Sequence, residues 1–372
     1  MPYRPGQYSE RIMPFENPLP ENLYEVWSEI NNRNRNNLLT IAEQQSSLEQ
    51  AVKDRHYLRE RERKIEEEPA DWSLFLEAAL PEAEQANWFG DVYINRYVGD
   101  AARYNDFKGT DLIAEKDTPK GQAVTALRID VTKSNDLDKI LEKIKTTTME
   151  IENGRFTRNY FRSQQPGHEN ETSIDHAPRI VLHLNEDQIR TLGNQLDAAR
   201  KARLPQAEAG TLKPALRDLE NNPSQINLID QAKSQLENQA LYCLSLFLKE
   251  VHDHLRTLRL KAEEMADLQK LYEETKVSLD SPGSNIITAI EMFFSQAHFL
   301  RLPRGQQTAN ILHGLRPWID HYQALAKEKS SLPAGVQQEA KFVSEISQPH
   351  RVLTDQFSEI SRSFPTDLKP AA

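Results

Sequence analysis

The spacing of apolar residues divides the chain into a helical first part, a mixed middle part and a helical last part. From Leu23 to about Glu68 apolar residues recur every three or four positions, which predicts one long helix with a coiled-coil-like seam that stops at Pro69. Several seam positions are polar, so the coiled coil is predicted to be weak. A second long amphipathic helix is predicted after Asn222-Pro223, because no proline or glycine interrupts residues 224–275.

The middle of the chain changes from a period of about 3.6 residues to a period of two. An aromatic-rich stretch over residues 70–105 predicts helix, and four later stretches predict strands: TDLIAE, VTALRIDVT, RFTRNYF and RIVLHL. Helical patterns follow the second and the fourth strand. The predicted order is α-β-β-α-β-β-α, which indicates an α+β or α/β fold class with a small mixed sheet of about four strands flanked by helices.

These patterns predict six consecutive regions along the chain. They are an extended proline-rich arm (1–21), a long coiled-coil-like helix (22–68), an α/β domain (70–205), a linker (206–221), a long amphipathic helix (222–280) and a helical C-terminal region (284–372). We expect the two long helices, roughly residues 23–68 and 223–275, to pair with each other. Either of them is also a candidate surface for a protein partner.

Composition narrows the classes of function. The net charge of −10 argues against a protein that coats nucleic acid or an anionic membrane with its whole surface, although a local basic patch is compatible with it. Cys243 is the one cysteine and lies in the apolar run ALYCLSLFL, which predicts a buried structural thiol. The chain shows no signal-peptide pattern and no apolar run of about 18 residues. We therefore expect a soluble, cytoplasmic protein that has no membrane partner.

The stretch GTDLIAEKDTPKGQAVTALRIDVTKS, residues 109–134, is predicted to be a β-hairpin that turns near Pro119. If Leu112 pairs with Ile129, one side of the hairpin is consistently apolar, and this pattern selects the register. The other side then places Asp111 directly opposite Asp130. Two carboxylates facing each other across antiparallel strands destabilise the pair.

Three groups can offset this repulsion. A magnesium ion can bind Asp111 and Asp130, with Glu115 on the same side, because Mg²⁺ is commonly held by one or two carboxylates with waters and phosphate oxygens. The two acids can share a proton. Arg128, diagonal to Asp111 and Glu115, can bridge them as a purely structural cation. A register shifted by one residue would separate the aspartates and remove the need for any of these.

A helix with acidic residues, a hairpin with Asp in its first strand and an acidic-x-x motif in its second, and then a helix and a strand resemble the PD-(D/E)XK nuclease-like core. The stretches RIDVTKS, APRIVLHLNEDQIRTL and NNPSQINLIDQAKSQLENQ are also similar to a group of uncharacterised bacterial proteins with such a core. The resemblance implies that Asp111 and Asp130 are the two motif acids. It also implies that Glu82 or Glu84 is the acid of the preceding helix.

The chain departs from that motif at the lysine. Thr132 stands where the resemblance requires a catalytic lysine, and threonine cannot polarise the attacking water as an ammonium does. Lys133 is adjacent but is expected on the other face of the strand, whereas Lys139 and Lys143 lie on the following helix and are candidates for a relocated lysine. Either the lysine has moved or the activity is lost.

Two functions therefore follow as hypotheses. In the first, the resemblance implies a divergent metal-dependent nuclease with Asp111, Asp130, Lys133 and Glu84 as catalytic residues and magnesium as its cofactor. Nucleic acid would contact the interleaved arginines of RFTRNYFRS, which are Arg155, Arg158 and Arg162. In the second, the protein is a catalytically inactive helical scaffold that binds other proteins and keeps a remnant of the nuclease-like core.

Overall fold

A computed structural model describes most of the chain. The described residues are 19–33, 38–44, 47–64, 71–84, 86–97, 100–106, 108–117, 124–133, 136–153, 160–165, 167–168, 174, 177–205, 210–255, 257–258, 260–280, 286–330 and 345. The predicted arm up to residue 18, the hairpin turn near Pro119, Arg155, Arg158 and nearly all of the chain after residue 330 lie outside them.

The described residues form an α+β structure around one sheet. Its strands are β1 (Val92–Asn95), β2 (Leu112–Lys116), β3 (Thr125–Thr132) and β4 (Arg179–His183). The first helices are α1 (Glu21–Arg33), α2 (Ile41–Gln44), α3 (Leu48–Lys64), α4 (Asp71–Glu84), α5 (Asp100–Asp106) and α6 (Leu137–Met149). The later helices are α7 (Glu186–Ala202), α8 (Leu212–Glu220), α9 (Ser224–His254), α10 (Ala262–Asp280), α11 (Ile286–Ser295) and α12 (Gly305–Lys329).

The sheet has the order β1-β2-β3-β4, with the first three strands antiparallel and β4 parallel to β3. Helix α6 makes the crossover between β3 and β4, as parallel neighbours require. The prediction of a small mixed sheet of about four strands flanked by helices is confirmed. The segments that form the four strands differ from the predicted ones, because β1 lies in the stretch predicted to be helical. In the predicted strand RFTRNYF only Tyr160 and Phe161 are described, and neither belongs to a strand.

The two faces of the sheet differ in polarity because side chains alternate along each strand. One face contributes only apolar residues to the main core, among them Leu112, Ile129 and Ile180, and α4, α9 and α12 contact the strands on that side. The other face carries Asp111, Glu115, Arg128 and Asp130 among smaller apolar clusters. This second face holds the chemistry of the domain.

Helix α9 covers the open edge of the sheet in an unusual way. Strand β4 is the last in the sheet, so every second main-chain N–H and C=O would lack a partner. Glutamines spaced four residues apart along α9 supply those partners: Gln231 for His183, Gln235 for Val181 and Gln239 for Arg179. The glutamine row replaces a fifth strand.

The prediction of two long continuous helices is wrong. Residues 22–68 form α1, α2 and α3, because Leu39 turns into a second core and its carbonyl accepts a hydrogen bond from Ala101 N–H at 3.3 Å. Residues 222–280 form α9 and α10: Thr257 and Leu258 close a turn on the carbonyl of His254, and Glu264 accepts from Lys261 N–H where α10 begins.

The packing of these helices also differs from the predicted pairing. Helix α9 packs along α12 and β4, whereas α1 packs on α7 and α4. The predicted linker over 206–221 contains α8, which packs on α7. Trp88 fastens this part of the chain to the sheet domain, because its indole N–H donates to the carbonyl of Leu219 at 2.9 Å.

Candidate active site

Asp111 and Asp130 face each other where β2 begins, as the predicted register requires. Leu112 pairs with Ile129, so the register is confirmed. The backbone N–H of Asp111 donates to the carbonyl of Ile129 at 2.9 Å, and its carboxylate accepts from the N–H of Val131 at 2.6 Å. The two acids therefore lie on one face of the hairpin, with Asp130 held between β2 and β4.

Two more acids approach this pair from helices. Glu77 comes from α4, and its charge raises the pKa of Asp111. Asp106, the last residue of α5, lies close enough for its charge to raise the pKa of Asp111 as well. We call Glu77, Asp106, Asp111 and Asp130 the acid cluster.

The acid cluster favours protonated carboxyl groups. Burial raises the pKa of Glu77 to about 7, with Arg96 acting in the opposite direction. The pKa of Asp111 lies well above its ordinary value, first because of burial and then because of the charges of Glu77, Asp130 and Asp106. Burial also raises the pKa of Asp106. A group of acids held in this way binds protons or cations readily.

Lys143 brings a cation to the acid cluster. Its Nζ lies 3.0 Å from Oδ1 of Asp130, and its charge also lowers the pKa of Glu77 and Asp106. Helix α6 positions it: Asp136 caps the helix by accepting from the N–H groups of Asp138 and Lys139, and Ile144, next to Lys143, packs on Val181. Helix α6 thus places an ammonium group beside Asp130.

The other two candidate lysines lie apart from this contact. Lys139 pairs with Asp136 at 3.8 Å on the exposed side of α6. Lys133 follows the end of β3, and among the described residues it has no ion-pair partner. Of the three lysines considered from sequence, Lys143 is the one that contacts a motif acid.

Arg96 is a second cation beside the acid cluster. It follows β1, pairs with Glu77 at 3.8 Å and donates to the side chain of Asn31. Burial lowers its pKa, whereas the charges of Glu77, Asp111 and Asp106 raise it. One cation therefore enters from the edge of the sheet and another from α6.

Glu115, which was predicted to bind the metal together with the two aspartates, lies elsewhere. Glu115 is fully buried and accepts hydrogen bonds from Asn95, from Ser163 Oγ at 2.6 Å and from the N–H of Gln164 at 3.2 Å. Four residues of strand separate it from Asp111, which is about 13 Å. Its polar neighbours therefore hold it in a separate network.

The acid contributed by α4 is Glu77 rather than Glu84 or Glu82. Glu84 lies on the same face of the helix but two turns further on, about 10 Å away along the axis. Glu82 pairs with Arg33 of α1 at 3.1 Å. The sequence carries one signal for Glu77, since it is the only charged residue in WSLFLEAALP, residues 72–81.

Arg128 serves a different group of residues. Its Nε donates to the carbonyl of Ala177 at 2.9 Å, and its guanidinium pairs with Glu150 at 3.6 Å. Glu150 also pairs with Arg179 at 2.8 Å. Lys143, rather than Arg128, is thus the cation beside the facing aspartates.

Arg179 shapes the turn that precedes Asp111. Its Nη1 donates to the carbonyls of Lys108 and Gly109 at 3.0 and 3.2 Å. Gly109 has a φ of +71°, and a Cβ there would lie 1.9 Å from the same Nη1. The positive φ favours glycine at this position, and any Cβ there would also displace the Arg179 guanidinium. The turn therefore holds the chain between α5 and β2 against β4.

The donor set of the site is compatible with magnesium, although it is not a complete protein cage. Within the described part of the chain, no group of three His, Cys, Asp or Glu side chains is arranged to hold a metal ion. Mg²⁺ commonly takes one or two carboxylates and completes its shell with waters. Asp111 and Asp130 are the pair that would provide them.

The predicted nucleic-acid residues are only partly described. Arg162 is described, and its carbonyl accepts a hydrogen bond from the hydroxyl of Tyr97. Helices in the described regions also lack the combination of length and apolar character that a bilayer crossing needs.

No known protein family, no curated protein and no solved structure matches the chain.

Proposed function

We propose that the protein is a metal-dependent phosphodiesterase that acts on nucleic acid, with a divergent PD-(D/E)XK-like site. The observation that carries the proposal is the contact of 3.0 Å between Lys143 Nζ and Asp130 Oδ1 beside three further carboxyl groups. A lysine paired with a motif acid is the feature that the sequence lacks at Thr132. Its supply by α6 supports the alternative that the lysine has moved.

The order of elements supports the same proposal. Helix α4 with its acid, the hairpin β2-β3 with Asp111 and Asp130, helix α6 and strand β4 follow in the order that the resemblance implies. The additional strand β1 pairs with β2 and carries the chain from α4 to Arg96. The acids of the proposal thus come from a helix and a hairpin, as the resemblance requires.

Each side chain has a defined task in this proposal. Asp111 and Asp130 would hold a magnesium ion, which supplies Lewis-acid stabilisation of phosphate charge and activates a water. Lys143, oriented by Asp130, positions the attacking water. Glu77, with a pKa of about 7, accepts a proton at neutral pH, where a general base works best. Arg96 stabilises the ionised form of Glu77.

The inactive scaffold remains a second candidate because of one observation. The pKa of Asp111 lies well above its ordinary value, so a bound proton can offset the repulsion in the acid cluster without a metal. If that proton is retained in the presence of divalent ions, the site is a buried polar network and the helices carry the function.

A cleavage assay decides between the two. Purified protein is incubated with magnesium or manganese and labelled single-stranded DNA, duplex DNA or RNA, and Asp130→Asn is compared with wild type. We expect metal-dependent cleavage that Asp130→Asn abolishes. Asp138→Asn, an exposed acid in the first turn of α6, is the matched control and should cleave normally. Equal signals from wild type and Asp130→Asn would rule out this site.

A further inference from the structure

Basic and aromatic side chains share one surface beside the acid cluster. Lys53, Tyr57 and Arg61 follow each other at intervals of four residues on α3, so they lie on one side of that helix. Helix α3 packs on α5, which contributes Tyr104 and leads to Lys108. We call Lys53, Tyr57, Arg61, Tyr104 and Lys108 the basic patch.

The aromatic rings of the basic patch hold its cations. Lys108 Nζ lies 4.1 Å from the ring centroid of Tyr57 and 5.6 Å from that of Tyr104. Arg61 Nε donates to the hydroxyl of Tyr57 at 3.2 Å, and its guanidinium carbon lies 5.7 Å from the same ring. These contacts keep two positive charges on one ring.

A rigid base supports the rings. Tyr104 meets Tyr57 and Tyr160 edge to face, with centroids 5.4 and 5.0 Å apart. Tyr160 is fully buried and donates its hydroxyl to Asp54 of α3. Lys53, Arg61 and Lys108 stay exposed, although Glu49 pairs with Lys53 at 2.7 Å. An exposed pair of this kind contributes little and exchanges easily for another anion.

The basic patch continues into the acid cluster. Tyr104 precedes Asp106 by two residues, and Lys108 precedes Asp111 by three, a distance of at most about 10 Å along the chain. Arg179 fixes that connection through the carbonyls of Lys108 and Gly109. The cations thus lie at the border of the acids that would repel a phosphate group.

We propose that the basic patch binds the phosphate backbone of a single-stranded nucleic acid and leads it to the acid cluster. This inference rests on the proposed function in one respect, namely that the acid cluster is the place where the bound strand would be cleaved. An acidic chain with four clustered carboxyl groups repels polyanions, so binding requires local cations. Half-exposed tyrosine rings among these cations favour a single strand, whose unpaired bases can stack on them.

Binding can be measured without cleavage. Fluorescence anisotropy of a labelled oligothymidylate is followed with the full chain in EDTA, at salt from about 50 to about 200 mM. The variant Lys53→Gln/Arg61→Gln/Lys108→Gln is compared with Arg59→Gln/Lys213→Gln/Lys270→Gln. The control removes the same charge from exposed positions, including the opposite side of α3.

We expect the patch variant to reduce the slope of log K against log salt by about two, because each phosphate contact on a single strand contributes about 0.7. The control should keep the wild-type slope. Tyr57→Leu should weaken binding about fivefold or more, and Tyr57→Phe should bind like wild type.

Three results would overturn the inference: no binding by wild type at about 50 mM salt, equal slopes in the patch variant and wild type, or tighter binding of duplex DNA than of single strands. An oligouridylate arm distinguishes RNA from DNA. A protein that binds through the basic patch but does not cleave would contradict the proposed function and leave this inference standing.

Discussion

Lys143 and Asp130 form an ion pair across two elements, with Nζ 3.0 Å from Oδ1. The lysine side chain is 47% exposed and that of the aspartate 10%, so the ammonium covers the acid from the solvent side. Asp130 is buried, so the ammonium compensates a carboxylate that water solvates poorly. The contact therefore matters both for the charge of the site and for its stability.

Replacing Lys143 should remove activity, and it should also cost some stability because the buried Asp130 loses its cation. We expect Lys143→Gln to reduce metal-dependent cleavage by about 10²-fold or more, because the attacking water loses its cationic partner. Lys139→Gln, on the exposed side of the same helix, is the control and should cleave normally. Single-turnover rates and a urea unfolding curve measure the two effects separately.

The relocated lysine can also be tested by moving it back. Thr132 lies on the same face of β3 as Asp130, at the position where the resemblance requires a lysine. In a Lys143→Gln background, Thr132→Lys should recover part of the lost rate if the ammonium acts on the water. Recovery by Thr132→Arg to the same extent would show instead that any positive charge is sufficient.

Asp111→Asn should stabilise the protein when no metal is present. The pKa of Asp111 is raised in the folded state, so folding takes up protons, and stability falls as pH rises from the ordinary pKa of an aspartate through the raised one. Asparagine keeps the acceptor for Val131 N–H but removes the charge. We expect a gain of about 1 kcal/mol at about pH 8 in EDTA, and none near pH 4.

Urea unfolding at the two pH values measures this difference. Asp138→Asn again serves as the control, because its carboxylate is exposed on α6. Destabilisation by Asp111→Asn at about pH 8 would mean that its carboxylate makes net favourable contacts, and the like-charge account of the acid cluster would be wrong.

Metal binding should strengthen with pH. Glu77 has a pKa of about 7, and Asp111 and Asp106 are also raised, so a cation at neutral pH must displace protons. We expect manganese to bind more tightly at about pH 8 than at about pH 6, with proton release. Calorimetry in two buffers of different ionisation enthalpy counts the protons. Affinity that does not change with pH would exclude a metal at these acids.

Alternation along strands predicted the hairpin and its register, since only in this register is one side of the hairpin apolar throughout. The same logic could not find β1, because its four residues VYIN lie inside an aromatic-rich stretch with helical spacing. The break after α9 has no proline or glycine to reveal it. It arises because α10 packs back on α9 and α11, which is a tertiary effect.

The residues of the candidate site could be predicted from sequence only where local strand pairing determines their positions. Asp111 and Asp130 follow from local pairing, whereas the choice of Glu77 over Glu84 depends on how far α4 extends past the sheet. Both residues occupy one helix face, so periodicity cannot separate them. Lys143 was one of several nearby lysines, and only the packing of Ile144 on Val181 selects it.

The glutamine row on α9 should stabilise the open edge of the sheet through its hydrogen bonds to β4. Gln235 accepts from Val181 N–H at 2.8 Å and donates to its carbonyl at 2.7 Å, and both residues are fully buried. Gln235→Leu leaves two buried main-chain groups without partners, each worth about 1 to 3 kcal/mol. We expect a loss of about 2 to 5 kcal/mol in urea unfolding, against less than about 0.5 kcal/mol for Gln306→Leu, an exposed control on α12.

The variant Gln235→Glu separates the two hydrogen bonds, because an ionised carboxylate still accepts from the Val181 N–H but cannot donate to the Val181 carbonyl. Burial raises the pKa of that new carboxyl, so this variant should lose more stability at about pH 8 than at about pH 4. Equal losses at both pH values, or a Gln235→Leu protein as stable as wild type, would show that α9 covers β4 by packing alone.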